Sequence, residues 1–246
     1  MKIVINPKYT ALNSFITKIP ALFEQEGELV YTARNQLKAY NVEGIDVIVK
    51  RYKIPHIINR LAYTYIRPSK AKRAYEYALK LLQLDVNTPA PIAYIEQYKA
   101  GMLTYGYFIS VYEKDYLDIR NLMDGTQDDQ NLLRELASYI SDFHKKGILH
   151  LDMSPGNILY KKTKNQTLFT LIDINRMQFL PIISVENKYN SFKRISENQA
   201  ILTELAKLYA QASNLNETES IEKINQFSSD FFSSKRRFKS RKNKES

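Results

Sequence analysis

A short polar loop between a helical pattern and a strand pattern limits the folds that this chain can adopt. The loop spans residues 150–157, HLDMSPGN, and an apolar strand pattern ending at Asp173 follows it. Residues 128–146 before the loop carry apolar side chains at helical spacing, and Gly147 is well placed to end that helix. This order of helix, loop, strands and aspartate defines the second half of the chain.

The first half reads mainly as antiparallel strands. A meander is predicted over 28–54, with Glu43-Gly44 as a two-residue hairpin turn. A helix opening at Pro68-Ser69 follows, and its predicted buried stripe is Ala71, Ala74, Tyr75, Ala78 and Leu82. Further strands are predicted at 93–98, 103–112, 157–161 and 167–172, and a further helix at 196–213.

These patterns predict an α+β fold with two lobes. Residues 1–112 form the first lobe, an antiparallel sheet with one helix, and residues 113–234 form the second, mainly helical lobe. Residues 235–246 are almost free of apolar side chains, which predicts a disordered basic tail. The oligomeric state is left open.

Composition excludes several classes of site. The 246 residues include no Cys, which excludes disulfides, iron–sulfur clusters, thiol catalysis and Cys-ligated zinc. With three His in the chain, an all-His zinc site would need every imidazole. No apolar run approaches the length of a membrane span, so a cytoplasmic protein is expected.

The formal net charge of +10 is confined to two blocks. Residues 51–84 carry a local balance of +7, and residues 235–246 carry +6. We expect these blocks to dock on an anionic glycolipid or membrane surface, and a merely solubilising tail is the alternative. Nucleic-acid binding is not expected because no recognition motif accompanies the charge. The basic pair Lys193-Arg194 is expected to be solvated surface, with a contact to the substrate as the alternative.

The polar loop and the aspartate after the hairpin carry the predicted chemistry. Asp152 is a candidate general base for an attacking hydroxyl, while Asn157 and Asp173 offer hard oxygen ligands for Mg²⁺. The order H-x-D-x-x-x-x-N, hairpin, Asp is that of kinase-type phosphotransferases. Each residue taken singly could be a turn or cap residue. His150 is expected to brace the loop rather than to transfer protons.

A nucleotide-binding pair is predicted in the first half. Lys50 ends the strand pattern VIVK, where a phosphate-binding lysine belongs. Glu76 is the sole carboxylate between Lys50 and Asp85, and it falls in the predicted helix. A Lys50–Glu76 ion pair is therefore predicted, with local charge balance as the alternative.

These segments together resemble the kinase-like superfamily and, more narrowly, the lipopolysaccharide-core kinases of the Kdo/WaaP family. The resemblance rests on VIVKRY (47–52), KRAYE (72–76), TPAPIA (88–93), GILHLDMSPGNIL (147–159) and LIDINRM (171–177). It implies transfer of the γ-phosphate of ATP, with Mg²⁺, to a sugar hydroxyl of the lipopolysaccharide inner core. It also implies work at the cytoplasmic side of the inner membrane, on a saccharide or glycolipid acceptor.

Departures from protein kinases keep alternatives open. The loop at 32–36 lacks phosphate-covering glycines, Ser154 stands two residues after Asp152, and Asp173-Ile174-Asn175 replaces D-F-G. No A-P-E motif follows, and 73 residues after Asp173 leave little room for a peptide-docking lobe. A Ser/Thr protein kinase or an aminoglycoside-type small-molecule kinase remains the alternative enzyme. A pseudokinase scaffold is the non-enzymatic alternative.

Overall fold

The computed structural model describes residues 1–33, 35–52 and 67–242. The chain divides into two compact units, Met1–Lys114 and Asp115–Ser246. Each unit has its own sheets and helices, and each is described by itself. Lys53 and Arg60 of the first basic block, Arg34 at the end of the first predicted strand, and residues 243–246 lie outside the described residues.

The first unit is built on an antiparallel sheet of six strands. The strands are β1 (Lys2–Ile5), β2 (Glu28–Thr32), β3 (Gln36–Val42), β4 (Ile45–Tyr52), β5 (Pro91–Lys99) and β6 (Met102–Val111). They lie in the spatial order β1-β5-β6-β4-β3-β2. The hairpin between β3 and β4 turns at Glu43 (φ 53°) and Gly44 (φ 80°), so both turn residues are left-handed as the predicted two-residue turn requires.

The described residues of this unit include two α-helices, where the sequence predicted one. Helix α1 (Asn13–Gln25) buries its apolar stripe in the core that contains Val47 and Val49. The helix was missed because Pro20 lies inside it, and proline normally ends a helical pattern. Strand β1 was missed as well. It pairs with β5 at the sheet edge.

Helix α2 (Lys70–Gln83) forms where it was predicted, with one correction to its buried face. The Ser69 hydroxyl oxygen caps it by accepting a hydrogen bond from the Lys72 backbone N–H at 3.1 Å. Four of the five predicted stripe residues are buried, but Leu82 is 38% exposed and Leu81 is fully buried in its place. The stripe therefore follows Ala74, Ala78 and Leu81 toward the C-terminal end.

The second unit combines two small sheets with five helices in its described residues. The elements are β7 (Leu117–Asp118), α3 (Arg120–Asp124), α4 (Gln130–Lys145), β8 (Ile148–His150), β9 (Ile158–Lys162), β10 (Thr167–Leu171), β11 (Met177–Phe179), α5 (Val185–Ser191), α6 (Gln199–Ser213) and α7 (Glu217–Lys242). One sheet has the order β10-β9-β7 and the other pairs β11 with β8. The β9–β10 hairpin confirms the prediction from the sequence. The α+β class, with an antiparallel sheet first and helices after it, is confirmed.

Helix α7 corrects the expectation of a disordered tail from residue 235. Residues 235–242 continue a helix of 26 residues that begins at Glu217. Its first turns are anchored by the fully buried side chains Ser220, Ile224 and Ser228. The composition of the last twelve residues gave no sign of this anchorage upstream.

Gly147 ends α4 in a conformation that no other residue can adopt there. Its φ is 75°, its N–H donates to the His144 carbonyl at 3.0 Å, and its carbonyl accepts from the Leu180 N–H at 2.8 Å. A Cβ at this position would lie 1.9 Å from the Leu180 carbonyl oxygen. The turn before β8 therefore depends on glycine both for its left-handed backbone and for space.

We expect Gly147→Ala to lower the free energy of unfolding by about 3 kcal/mol or more, since strain and a backbone clash add. Gly44→Ala is the matched control, because Gly44 is also left-handed (φ 80°) but has no atom within 4 Å of the new Cβ. It should cost about 1 kcal/mol from strain alone. Urea denaturation followed by circular dichroism measures both, and equal losses would contradict the clash.

Candidate active site

The polar loop is held by the buried ring of His150. The residue is 0% exposed, and its Nδ1 accepts a hydrogen bond from the Asp152 backbone N–H at 3.1 Å. Its Nε2 donates to the Ile172 carbonyl at 3.2 Å. One nitrogen accepts and the other donates, so the ring is neutral, and burial lowers the pKa of His150. The prediction that His150 braces the loop is confirmed.

Asp152 presents its carboxylate between two arginines. Its side chain is 18% exposed, Oδ2 accepts from Arg176 Nη1 at 3.2 Å, and Oδ1 is ion-paired with Arg194 Nη1. Arg194 was expected to be solvated surface, and this expectation is wrong. The contact joins residues 42 positions apart in the sequence, so no local pattern could have indicated it.

Asn157 ties the loop to the end of the hairpin. Its side-chain Nδ2 donates to the Asp152 backbone carbonyl at 2.8 Å, and its backbone carbonyl accepts from the Ile172 N–H at 3.0 Å. Because the amide nitrogen is used inside the loop, the side-chain oxygen Oδ1 is the atom suited to a metal. The loop and the residue before Asp173 are thus joined directly.

Asp173 follows β10 in a left-handed conformation, with φ 54° and ψ 40°. Aspartate tolerates this region better than most residues, and such conformations are frequent at functional sites. Asn175 donates from Nδ2 to Asp173 Oδ1 at 2.7 Å and is 7% exposed. Asn175 stands where D-F-G has its glycine, and the sequence alone predicts no role for it. It orients the predicted metal-binding carboxylate.

The hydrogen-bonded residues 150–157 and 172–177 are called the loop frame below, and a two-stranded sheet forms part of it. Met177 of β11 pairs with His150 of β8, and the Leu151 N–H donates to the Arg176 carbonyl at 2.9 Å. The segment after Asp173 therefore runs back along the start of the polar loop. In the second unit the backbone brings Asp152, Asn157 and Asp173 into one hydrogen-bonded frame.

The other two predicted site residues lie in the first unit. Lys50 sits on β4 between Leu37 of β3 and Phe108 of β6, and its Nζ is 5.4 Å from the centroid of the Tyr52 ring. Residues 50 and 52 share a face of the strand, and Tyr52 packs with Ala71 and other residues of α2. Lys50 therefore lies on the face of the sheet that α2 covers.

Glu76 has another partner in this structure. It is ion-paired with Lys72 at 3.6 Å, one turn earlier on α2, and its side chain is 48% exposed. Exposed pairs of this kind contribute little to stability, so Glu76 can exchange partners at small cost. The Lys50–Glu76 pair stays a prediction.

The donor set of the frame fits a hard cation. An amide oxygen from Asn157 and a carboxylate from Asp173 are ligands that Mg²⁺ accepts. Across residues 1–33, 35–52 and 67–242, no cluster of three or more His, Cys, Asp or Glu side chains could hold a metal by itself. Mg²⁺ is usually bound through one or two protein groups together with substrate phosphates, and Asn157 and Asp173 offer two such groups.

Comparison with known proteins identifies the family. The model of the lipopolysaccharide kinase (Kdo/WaaP) family matches residues 43–182. The chain belongs to this family. The matched part of this Kdo/WaaP kinase contains all five predicted site residues but neither Arg194 nor α7.

A solved structure supports the fold independently. The structure described as "WaaP in complex with acyl carrier protein" superposes with a TM-score of 0.61 at 14% sequence identity, covering 94% of this chain and 99% of the other. No curated protein sequence matches the chain. Kdo/WaaP proteins are kinases that phosphorylate sugar hydroxyls of lipopolysaccharide, so this chain is a sugar kinase with a kinase-like fold.

One feature of its helices bears on membranes. Within the described ranges, no helix combines the length and the apolar character needed to cross a bilayer.

Proposed function

We propose that this kinase transfers the γ-phosphate of ATP to a sugar hydroxyl of the lipopolysaccharide inner core, with Asp152 as the base. The observation that carries the proposal is the frame in which His150 and Asn157 hold the Asp152 backbone while two arginines orient its carboxylate. A carboxylate held in this way is suited to accept the proton of an attacking hydroxyl.

Asn157 and Asp173 are proposed to hold Mg²⁺. Asn157 would use Oδ1, since its nitrogen donates to the loop, and Asp173 would use the carboxylate that Asn175 orients. When bound, Mg²⁺ supplies positive charge that offsets the nucleotide phosphates. The residues of this chain fix the donor atoms in advance and so reduce the reorganisation needed at the reaction step.

Lys50 and Glu76 are proposed to serve the nucleotide. Lys50 would bind the α- and β-phosphates, and Glu76 would exchange Lys72 for Lys50. The support is the position of Lys50 on the sheet face that α2 covers, since α2 carries Glu76. The exposed Lys72–Glu76 contact is weak enough to be replaced.

The two alternatives from the sequence have less support. A Ser/Thr protein kinase or an aminoglycoside-type kinase would use the same base and metal ligands with a different acceptor, and the family match favours a lipopolysaccharide sugar. A pseudokinase scaffold would not need the loop anchors of Asp152 together with oriented Mg²⁺ ligands. Assays with different acceptors distinguish the first alternative from the proposed function. Any catalytic turnover distinguishes the proposed function from the second, because a pseudokinase has none.

Asp152→Asn keeps the shape of the side chain but removes the proton-accepting carboxylate. We expect it to lower the rate of phosphate transfer from Mg-ATP to inner-core oligosaccharide by about 10²- to 10⁴-fold. Stabilisation by Mg-ATP in a thermal shift should remain, whereas Asp173→Asn should lose its magnesium-dependent part. Asp142→Asn, in an exposed pair with Lys145, is the control and should match wild type in both assays. Full activity of Asp152→Asn would contradict the assignment of the base.

The basic end of α7 is proposed to dock on an anionic membrane surface, at the inner face of the inner membrane. Lys235, Arg236 and Arg237 are exposed, and Phe238 beside them is 71% exposed. A cationic helix end with an exposed aromatic ring is suited to lipid headgroups. The similar WaaP structure contains acyl carrier protein, so a protein partner is the competing occupant.

Replacing Lys235, Arg236 and Arg237 by Ser should weaken binding to phosphatidylglycerol vesicles roughly 100-fold at low salt, and high salt should remove the difference. Turnover on a soluble acceptor should stay unchanged. The charge-matched control replaces the exposed Lys2, Lys8 and Lys18 by Ser and should bind like wild type. Co-sedimentation with the vesicles measures the binding of both triple variants. Equal binding by the two triple variants would leave α7 without a membrane role.

A further inference from the structure

Arg194 lies between the proposed base and the last helix. It ends the 3-10 turn Phe192–Arg194, and its Nη1 is ion-paired with Asp152 Oδ1. The centre of the same guanidinium group lies 4.8 Å from the centroid of the Phe231 ring on α7. One guanidinium group thus pairs with a carboxylate and lies over an aromatic ring, a combination that its planar shape and several N–H donors favour over lysine.

Helix α7 is fixed in register against the segment that carries Arg194. The hydroxyl of Ser228 donates to the Ser196 carbonyl at 2.9 Å, two residues after Arg194. Two turns earlier, the hydroxyls of Ser220 and Tyr189 share a hydrogen bond of 3.0 Å. Both serines are fully buried. Since Phe231 stands one turn after Ser228, these bonds place its ring beside the guanidinium group.

This placement of Arg194 is not what folding alone requires. Its side chain is 32% exposed, and its buried Nε–H finds no hydrogen-bond partner in the described part of the chain. A buried donor without a partner destabilises the folded state, and an apolar side chain of similar volume would avoid that cost. A role in the reaction explains why a charged group stands there.

We propose that Arg194 is a positioning residue for the Asp152 carboxylate and that Phe231 holds Arg194 in place, so that the C-terminal helix takes part in the active site. The inference rests on the proposed function, in which Asp152 is the base. Arg176 contacts the other carboxylate oxygen but is 56% exposed, so Arg194 is the more constrained of the two arginines. By holding Oδ1, Arg194 sets the direction in which the Asp152 carboxylate meets the acceptor hydroxyl.

The test compares Arg194→Met, Arg194→Lys and Phe231→Leu with wild type in steady-state transfer assays. We expect Arg194→Met to lower kcat at least 10-fold, with KM for ATP unchanged within twofold. Its melting temperature should stay close to that of wild type, because Arg176 still pairs with the Asp152 carboxylate. Arg194→Lys should recover part of kcat because it keeps the charge, and Phe231→Leu should lower kcat a few-fold. Lys193→Met, in the same turn, is the control and should leave all three quantities unchanged.

Chemical rescue separates positioning from a merely structural role. Millimolar guanidinium ion should raise the kcat of Arg194→Ala and leave that of Lys193→Met unchanged. An active wild-type enzyme whose Arg194→Met variant keeps full kcat would overturn the inference and leave the proposed function standing. If the Arg194 variants lost kcat in proportion to a lowered melting temperature, and guanidinium ion did not restore it, the inference would also be overturned. A wild-type protein without transfer activity would instead overturn the proposed function.

Discussion

The candidate site depends on one buried imidazole. His150 accepts from the Asp152 N–H with one nitrogen and donates to the Ile172 carbonyl with the other. These two hydrogen bonds join the polar loop to the end of β10. The same ring therefore holds the backbone of Asp152, the proposed base, and of Ile172, the residue before Asp173. Because burial keeps the imidazole neutral, the ring can serve as donor and acceptor at once. A protonated ring would donate from both nitrogens and could not accept from Asp152.

Much of this frame could be predicted from the sequence because its contacts are local. The spacing of His150, Asp152, Asn157 and Asp173 reflects a loop, a hairpin and a strand end that follow one another along the chain, and each signals its own conformation. The Glu43-Gly44 turn was equally readable, since two left-handed residues leave few choices of sequence. The family match over residues 43–182 covers this locally encoded part of the chain.

The structural features that the sequence did not indicate depend on contacts between distant residues or on residues that interrupt a helical pattern. Helix α1 was hidden by Pro20, and the order in residues 235–242 comes from burial near Ser228 rather than from their own composition. The contact between Arg194 and Asp152 bridges 42 positions and needs the tertiary structure to be seen. Leu81 and Leu82 both fit a helical stripe, and packing rather than periodicity decided which of them is buried.

In the proposed function, the loop frame of this Kdo/WaaP kinase presents a base and two metal ligands in fixed positions. A crystal structure of the protein with Mg²⁺ and a non-hydrolysable ATP analogue tests this proposal most directly. We expect Asn157 Oδ1 and an Asp173 carboxylate oxygen at about 2.1 Å from Mg²⁺, with His150 still bonded to the Asp152 N–H and the Ile172 carbonyl. A metal held by other residues, or a loop that has lost the His150 bonds, would contradict it.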